Sequence, residues 1–265
     1  MGIVSRQFTR DFFTEVAKGE IPDALGVNKF GRAPSGIQTT ATDVWDRATA
    51  APLQSIWVAP TQARTHQIAS SSASDDGAPA GVGARTIRVY GLTSWDTAEV
   101  NEDIILNGTT DVPTVNQYVI IHRMEVLTKG ATNVNVGAIS ATADTDGTVT
   151  AQINDAEGQT QMAIYGIPST QTAYVTGYYG TLNKASGGVA TINFSFEINP
   201  EPDTELINFV TKNTRGVQST GTSGDSWPFC PPLKVVGPAI IKVQGKASAA
   251  DVEGSAGFDL MLVTN

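Results

Sequence analysis

Residues 84–128, ARTIRVYGLTSWDTAEVNEDIILNGTTDVPTVNQYVIIHRMEVLT, decide the fold class of this chain. Three strand-like runs, each ended by Gly, Asn, Asp or Pro, lie within this stretch at residues 86–90, 100–106 and 118–126. In the first run, Ile87 and Val89 alternate with polar or aromatic neighbours. Because successive side chains of a strand point to opposite faces, this alternation predicts a strand with one buried face.

The third run carries apolar side chains on both faces. Val119 and Ile121 point to one face of the predicted strand. Ile120, Met124 and Val126 point to the other face. A strand of this kind is typical of the middle of a sheet that is covered on both sides.

Strand-like runs continue to the C-terminus, with no helical period between them. Ile192, Phe194 and Phe196 alternate with polar residues and predict another strand with one buried face. The further runs lie at residues 65–70, 135–141, 148–153, 161–165, 173–182, 189–198, 205–211, 233–236, 239–245 and 257–263. We therefore predict an all-β fold, an antiparallel β-sandwich of the jelly-roll-like type. The longest loops are predicted at residues 70–83 and 214–230.

The N-terminal region has a different pattern. Apolar residues recur every fourth position between residues 6 and 18, which predicts a short amphipathic helix. Residues 20–60 show no sustained period and contain several Gly and Pro, which indicates an extended arm. The predicted division is a helix and arm at 1–60 and a β-sandwich domain at 61–265, and we expect the domain to fold without the arm.

Large apolar side chains on an arm that has no core of its own must be buried against a folded domain. That domain belongs either to the same chain or to a neighbouring subunit. The predicted helix likewise packs either on its own domain or on a neighbouring subunit. We predict that the arm and helix bind a partner. The predicted partner-binding residues are Phe8, Phe12, Val16, Phe30, Trp45 and Trp57.

Composition and charge exclude several classes of function. The 265-residue chain has a net charge of −9, so it offers no basic field for nucleic acid. Cys230 is its single cysteine, so no disulfide within the chain is possible. No run has the length and apolarity of a membrane span, and no signal peptide is evident. The sequence predicts a protein made in the cytoplasm of its host cell, with no membrane or nucleic-acid partner.

Few residues suggest catalysis or metal binding. Gly224-Asp225-Ser226 resembles a serine-hydrolase signature, and the candidate bases are His66, predicted to be exposed, and His122, predicted to be packed in the core. Residues 144–147, DTDG, resemble part of a calcium loop but predict a tight turn between strands. We predict no enzyme activity and no cofactor or metal.

Acidic and aromatic residues leave one alternative open. Adjacent acids such as Asp75 and Asp76 in a Gly- and Ser-rich loop predict solvated turn residues rather than a glycosidase pair. Four aromatic residues would suit a lectin-like surface, although Tyr is also ordinary on strand faces. These residues are Tyr174, Tyr178, Tyr179 and Trp227.

Several segments resemble a family of virion structural proteins in tailed bacteriophages, many of them from aquatic hosts. The segments are VNKFGRAPSG (27–36), VWDRA (44–48), SSSASDDGAPAGVGARTIRVYGL (70–92), EDIILNGTTDVPTVNQYVIIHRMEV (102–126), GQTQMAIYGIP (158–168) and TAYVTGYYGTL (172–182). The resemblance covers most of residues 27–182 and consists of scaffold motifs without catalytic residues. It implies a component of the virus particle, at the head or the head-to-tail region, with a β-sandwich body.

The residues and the resemblance lead to one functional expectation. We expect a head decoration, minor capsid or head-fibre-anchoring protein that stabilises the shell through its N-terminal arm. Its partners would be other virion proteins, with a homo-oligomer expected, and its location would be the virion. The alternative is a tail or fibre module that binds a receptor glycan.

Overall fold

The computed structural model describes residues 12–47, 54–184, 188–250 and 252–265. These residues form one short helix, α1, and sixteen strands, and every strand pairing between them is antiparallel. The elements are α1 (Phe12–Ala17), β1 (Ala24–Ile37), β2 (Thr42–Asp43), β3 (His66–Ser70), β4 (Ala84–Leu92), β5 (Val100–Ile105), β6 (Val112–Pro113), β7 (Ile120–Lys129), β8 (Ile139–Ala143), β9 (Val149–Ile153), β10 (Ile164–Ile167), β11 (Gln171–Asn183), β12 (Ala190–Asn199), β13 (Val210–Ser219), β14 (Thr222–Val236), β15 (Ala239–Ala247) and β16 (Val252–Thr264). The predicted all-β, antiparallel fold class is confirmed.

Two sheets from the ends of the chain form a main sandwich. One sheet has the strand order β1-β16-β11-β14, and the other has the order β10-β15-β12-β13, with β2 paired to β15. The ring of Phe196 on β12 lies 5.7 Å from that of Phe258 on β16 and 5.5 Å from that of Tyr178 on β11. These contacts join the inner faces of the two sheets, as expected for a sandwich.

Residues 66–153 form two further sheets between β2 and β10, which we call the inserted sheets. Their strand orders are β6-β3-β8-β9 and β5-β4-β7. The burial predicted for both faces of β7 is confirmed, because Ile120 and Ile121 are fully buried. Its predicted central position is wrong, since β4 is the central strand of its sheet. β7 is covered instead by contacts with β9 and β10.

The structure corrects the prediction of an extended arm at residues 20–60. β1 pairs with β16 from Ala24 to Ala33, so this part of the arm is a strand of the main sandwich. Trp45 and Trp57 are buried within the chain's own core, and Trp57 Nε1 donates a hydrogen bond of 2.8 Å to the carbonyl oxygen of Thr150 on β9. These two tryptophans are therefore buried against the body of the same chain, whereas Leu25, Phe30 and Ile56 remain partly exposed.

The loop predicted at residues 214–230 is also corrected. These residues belong to the long strands β13 and β14, each an outer strand of its sheet. Their side chains are mostly exposed, so the polar composition reflects an exposed strand surface rather than a loop. The predicted turn at residues 144–147 is confirmed, with Gly147 at φ 65° between β8 and β9.

The loop at residues 71–83 is organised by a buried carboxylate. Asp75 Oδ1 accepts hydrogen bonds from the N–H groups of Ala84 and Val136, at 2.7 and 2.8 Å. Its Oδ2 accepts from Ser70 Oγ at 2.6 Å and from the N–H of Gly137 at 2.8 Å. Asp75 is fully buried, so its prediction as a solvated turn residue is wrong.

A second buried acid belongs to an ion pair inside the main sandwich. Lys242 Nζ on β15 lies 2.9 Å from Asp43 Oδ1 on β2 and 3.7 Å from Glu197 Oε2 on β12. Asp43 also accepts from the N–H of Trp57 at 2.8 Å, and the ring of Phe209 lies 4.1 Å from Lys242 Nζ. The charges of Asp43 and Lys242 thereby compensate each other, as buried ion pairs require.

Candidate functional site

The first half of β1 is an open sheet edge. Thr264 N donates to Asp23 O, so odd-numbered residues of this segment direct their backbone groups toward β16. Arg32 N donates away from β16, to Gln161 O at 3.3 Å, so even-numbered residues face the other side. Among the described residues none forms a hydrogen bond with the outward backbone groups of Gly26, Asn28 and Phe30.

Two adjoining cavities lie beside this open edge. The larger has a volume of about 360 Å³, and Leu25 and Val27 form part of its apolar wall. The smaller has a volume of about 170 Å³. Asn28, Lys29 and Arg123 line both cavities, so together they form one groove between the edge of β1 and the start of β7.

Lys29 is the buried charge of this groove. Its side chain lies on β1, and its Nζ donates a hydrogen bond of 2.5 Å to the carbonyl oxygen of His122 on β7. No second acceptor for the Lys29 ammonium group occurs among the described residues, although that group has three donors. Burial and the nearby charge of Arg123 lower the pKa of Lys29 to about 7.

His122 and Glu99 form a hydrogen-bonded pair next to Lys29. His122 Nε2 lies 2.5 Å from Glu99 Oε2, and its ring stacks on Tyr165 with 4.3 Å between centroids. Burial lowers the pKa of His122, so the imidazole is neutral and donates from Nε2. Burial raises the pKa of Glu99, but the hydrogen bond from His122 and the nearby cations outweigh it, and the net shift is downward. The prediction that His122 is packed in the core is confirmed.

Arg123 lies at the rim of the groove. Its guanidinium group lies 4.9 Å from the ring centroid of Tyr90 and donates to Glu125 at 2.5 Å. Tyr90 also donates to Glu125. The side chain of Arg123 is 45% exposed, so it faces solvent, whereas Lys29 is buried.

This arrangement is suited to binding. The groove offers unpaired backbone donors and acceptors, spare protons on the Lys29 ammonium group, and a solvent-facing guanidinium at Arg123. These groups match an extended peptide backbone that carries a negative charge. The hydrogen bond between Glu99 and His122 Nε2 fixes the His122 ring beside Lys29, while His122 Nδ1 is buried without a partner among the described residues.

The predicted partner-binding residues lie in different environments. Phe12 on α1 is 46% exposed, and Phe30 on β1 is 39% exposed. Val16 is buried and packs near Gly26 of β1. Trp45 and Trp57 are core residues, which corrects their predicted role. Phe8 lies outside the described residues.

The structure separates the candidate catalytic residues. His66 is buried on β3, which corrects its predicted exposure, and burial lowers its pKa to about 4. Ser226 is exposed on β14, in a different sheet. Among the described residues no hydrogen bond joins Ser226 to either histidine.

Three of the four aromatic residues proposed for glycan binding, Tyr178, Tyr179 and Trp227, line one cavity of about 220 Å³, and Tyr174 is not part of its lining. Tyr178 is buried, and its ring packs against Trp227, Phe196 and Phe229 at 4.9, 5.5 and 5.8 Å. Tyr179 follows Tyr178 on the same strand and is only partly buried. The cluster around Tyr178 therefore belongs to the core of the main sandwich.

Sequence reasoning missed Lys29 and Glu99. Lys29 stands in a strand that is interrupted by Gly26 and Gly31, and a lysine there suggests a solvent-facing residue. The one available signal was the apolar alternation of Leu25 and Val27, which places Lys29 on the same face as two apolar side chains.

Comparison with known proteins yields only distant similarity. No family model and no curated protein matches the chain. A chain in the structure of infectious bursal disease virus Gt strain is 11% identical, with 96% of this chain and 78% of that chain covered and a TM-score of 0.23. A chain of the T13 viral particle of that virus is also 11% identical, with coverages of 91% and 68% and a TM-score of 0.25. A chain of its VP2 subviral particle is 14% identical, with coverages of 91% and 72% and a TM-score of 0.21. At these TM-scores the similarity supports no conclusion about function.

No helix among the described residues has the length and apolarity needed to cross a membrane.

Proposed function

We propose that this protein is a structural component of a virus particle and that it attaches to neighbouring particle proteins through α1 and the open edge of β1. The finer proposal is a head decoration, minor capsid or head-fibre-anchoring protein of a tailed bacteriophage. The resemblance of residues 27–182 to virion structural proteins of such phages supports this proposal. The all-β body and the low fraction of charged residues, 16%, are compatible with it.

The observation that carries the proposal is the aromatic surface of α1. Val16 is only 5% exposed and fixes the helix to β1. Phe12 and Phe13 are 46% and 56% exposed, with 6.0 Å between their ring centroids. Full burial of one Phe side chain is favourable by about 1.5–3 kcal/mol, so a partner that covers both rings would gain several times the thermal energy. An anchored helix that presents two adjacent rings to solvent is suited to protein binding.

The attachment experiment uses the virus that encodes this chain. Particles are prepared from a strain in which the gene has been deleted, and recombinant full-length protein is added before sedimentation. We expect the wild-type protein to sediment with the particles. We expect the double variant Phe12→Ser, Phe13→Ser to bind at least about tenfold more weakly, because 1.4 kcal/mol corresponds to a factor of ten.

A matched control separates attachment from general loss of apolar surface. Ile207 is 78% exposed in the segment that precedes β13, so Ile207→Ser removes a comparable exposed side chain at another place. We expect this control to bind like the wild type. Equal binding of the double variant and the wild type would contradict the role of α1, and absence of the wild type from the pellet would contradict the attachment itself.

A further inference from the structure

The open edge of β1 has the hydrogen-bonding pattern that an additional strand requires. The outward N–H and C=O groups of Gly26, Asn28 and Phe30 lack partners among the described residues and lie at alternate positions. Antiparallel strands pair through such alternate residues. The opening ends at Arg32, whose N–H is bonded to Gln161 O. The free edge is therefore long enough for a short extended segment.

Other outer strands carry features that disfavour such pairing. β14 contains Pro228, Pro231 and Pro232, which have no N–H to donate. β5 contains Glu102 and Asp103, and charged side chains on an edge oppose the addition of another strand. The first half of β1 has no proline, and its one charged side chain, Lys29, is turned into the chain. This contrast distinguishes the β1 edge from the outer strands β14 and β5.

The charged side chains of the groove favour an added segment that carries a carboxylate. Lys29 Nζ has one acceptor among the described residues, the carbonyl oxygen of His122, which leaves ammonium protons available inside the cavity. Arg123 lies on the other side of the same groove with its guanidinium group facing solvent. Glu99, which accepts a hydrogen bond from His122, is the one carboxylate among the described residues that line the groove beside these two cations, and Glu125 pairs with Arg123 at the rim. A carboxylate that enters between Lys29 and Arg123 would form charge-assisted hydrogen bonds.

We propose that the edge of β1 binds an extended, acidic peptide segment of a neighbouring protein by strand addition, with one Asp or Glu side chain of that segment paired with Lys29. The identity of the neighbour as a particle protein rests on the proposed function, whereas the binding mode rests on the groove alone. Backbone hydrogen bonds to Gly26, Asn28 and Phe30 give the segment its register, and the carboxylate gives it selectivity.

The experiment is a titration of the full-length protein with two synthetic peptides, followed by NMR. Both peptides alternate threonine and valine and are blocked at their ends, and they differ only in a central glutamate or glutamine. We expect the glutamate peptide to slow amide hydrogen exchange at Gly26, Asn28 and Phe30 and to raise the pKa of Lys29. We expect the glutamine peptide to bind about tenfold more weakly, because hydrogen bonds between two charged groups are roughly twice as strong as those to a neutral amide.

Two variants test the two halves of the proposal separately. Lys29→Met keeps an unbranched side chain that is one atom shorter and uncharged, and this variant is expected to bind both peptides equally. Asn28→Pro removes an outward-facing N–H together with the side-chain amide and is expected to weaken both peptides, whereas Asn28→Ala removes the side-chain amide but keeps that N–H and serves as its control. Both variants lose the 2.6 Å hydrogen bond from Asn28 Nδ2 to Asp259 Oδ1. A difference in peptide affinity between the two variants therefore reports the contribution of the backbone N–H.

Three results would overturn the proposal. They are no effect of either peptide at millimolar concentration, equal affinity of the wild type for both peptides, and self-association of the unliganded protein that Asn28→Pro abolishes. The last result would assign the edge to a second copy of this chain. Selective binding of the glutamate peptide together with absence of the protein from particles would keep the binding mode and reject the virion role.

Discussion

Lys29 Nζ on β1 donates a hydrogen bond of 2.5 Å to the backbone carbonyl oxygen of His122 on β7. This bond connects the main sandwich to the inserted sheets across the floor of the groove. It places the buried Lys29 ammonium group directly beside the unpaired edge of β1, where a bound segment could accept its remaining hydrogen bonds. The same burial gives Lys29 a measurable effect on stability.

Lys29→Met should change the pH dependence of unfolding. The folded-state pKa of Lys29 is about 7 and its ordinary value is 10.5, so the unfolded chain binds more protons between these values. Stability contributed by this group therefore rises from about pH 7 to about pH 10.5, by up to about 1.4 kcal/mol per pH unit. We expect the variant to lose this rise in urea unfolding between pH 6 and 10. Lys246→Met, at an exposed position of β15, should retain it.

Asp46→Asn should stabilise the protein at neutral pH. Asp46 is buried, and burial raises its pKa well above 3.8, although the nearby backbone N–H groups of Gln161 and Asn154 partly oppose this shift. The folded state therefore keeps the Asp46 proton to a higher pH than the unfolded state. As the pH rises above about 4, this difference lowers the free energy of unfolding. We expect a higher Tm for the variant at pH 7 and a smaller difference near pH 4. An unchanged or lower Tm at pH 7, against the exposed control Asp111→Asn, would contradict this explanation.

Asp75→Asn should be strongly destabilising. The Asp75 carboxylate accepts four hydrogen bonds, three of them from backbone N–H groups, and an amide cannot accept all four. Buried donors left without a partner cost about 1–3 kcal/mol each, so we expect a loss of about 2–4 kcal/mol in chemical denaturation. The neighbouring variant Asp76→Asn is the control, because within the described part of the chain the Asp76 side chain accepts one hydrogen bond, from the N–H of Ala78. Equal stability of both variants would exclude an organising role for Asp75.

Removal of residues 1–60 should prevent folding, contrary to the expectation from sequence. The deletion takes away β1, β2 and two of the buried tryptophans, Trp45 and Trp57, and exposes the edge of β16. We expect the truncated chain to lack a cooperative thermal transition in circular dichroism. Trp57→Phe should fold but lose about 1–3 kcal/mol, since the carbonyl oxygen of Thr150 loses its donor. A truncated chain with a sharp transition would restore the extended-arm interpretation.

Local patterns predicted much of the fold. Ile192, Phe194 and Phe196 alternate with polar residues, and their burial on β12 follows directly. The turn ending at Gly147 follows from its Asp-Gly pair. These features succeed because strand alternation and turn chemistry act over a few residues, and the sequence contains all of the information they require.

The missed features depend on distant residues. β1 contains Gly31, which the arm interpretation took as a break, but a Cβ there would lie 2.3 Å from Val44 O, so the glycine permits close packing. The burial of Lys29 depends on β7 and β10, which lie far along the chain. The burial of Asp75 depends on backbone groups as distant as Gly137. No local pattern encodes these contacts, so the groove could not be predicted from sequence.

The most direct test of the virion role is immunogold labelling of particles purified from an infected lysate, with antibody raised against the recombinant protein. We predict label spread over the head of the particle, as a decoration or minor capsid protein requires. Label confined to the tail tip or fibres would contradict the head assignment and favour the glycan-binding alternative. Absence of label from intact particles would contradict the proposed function as a whole.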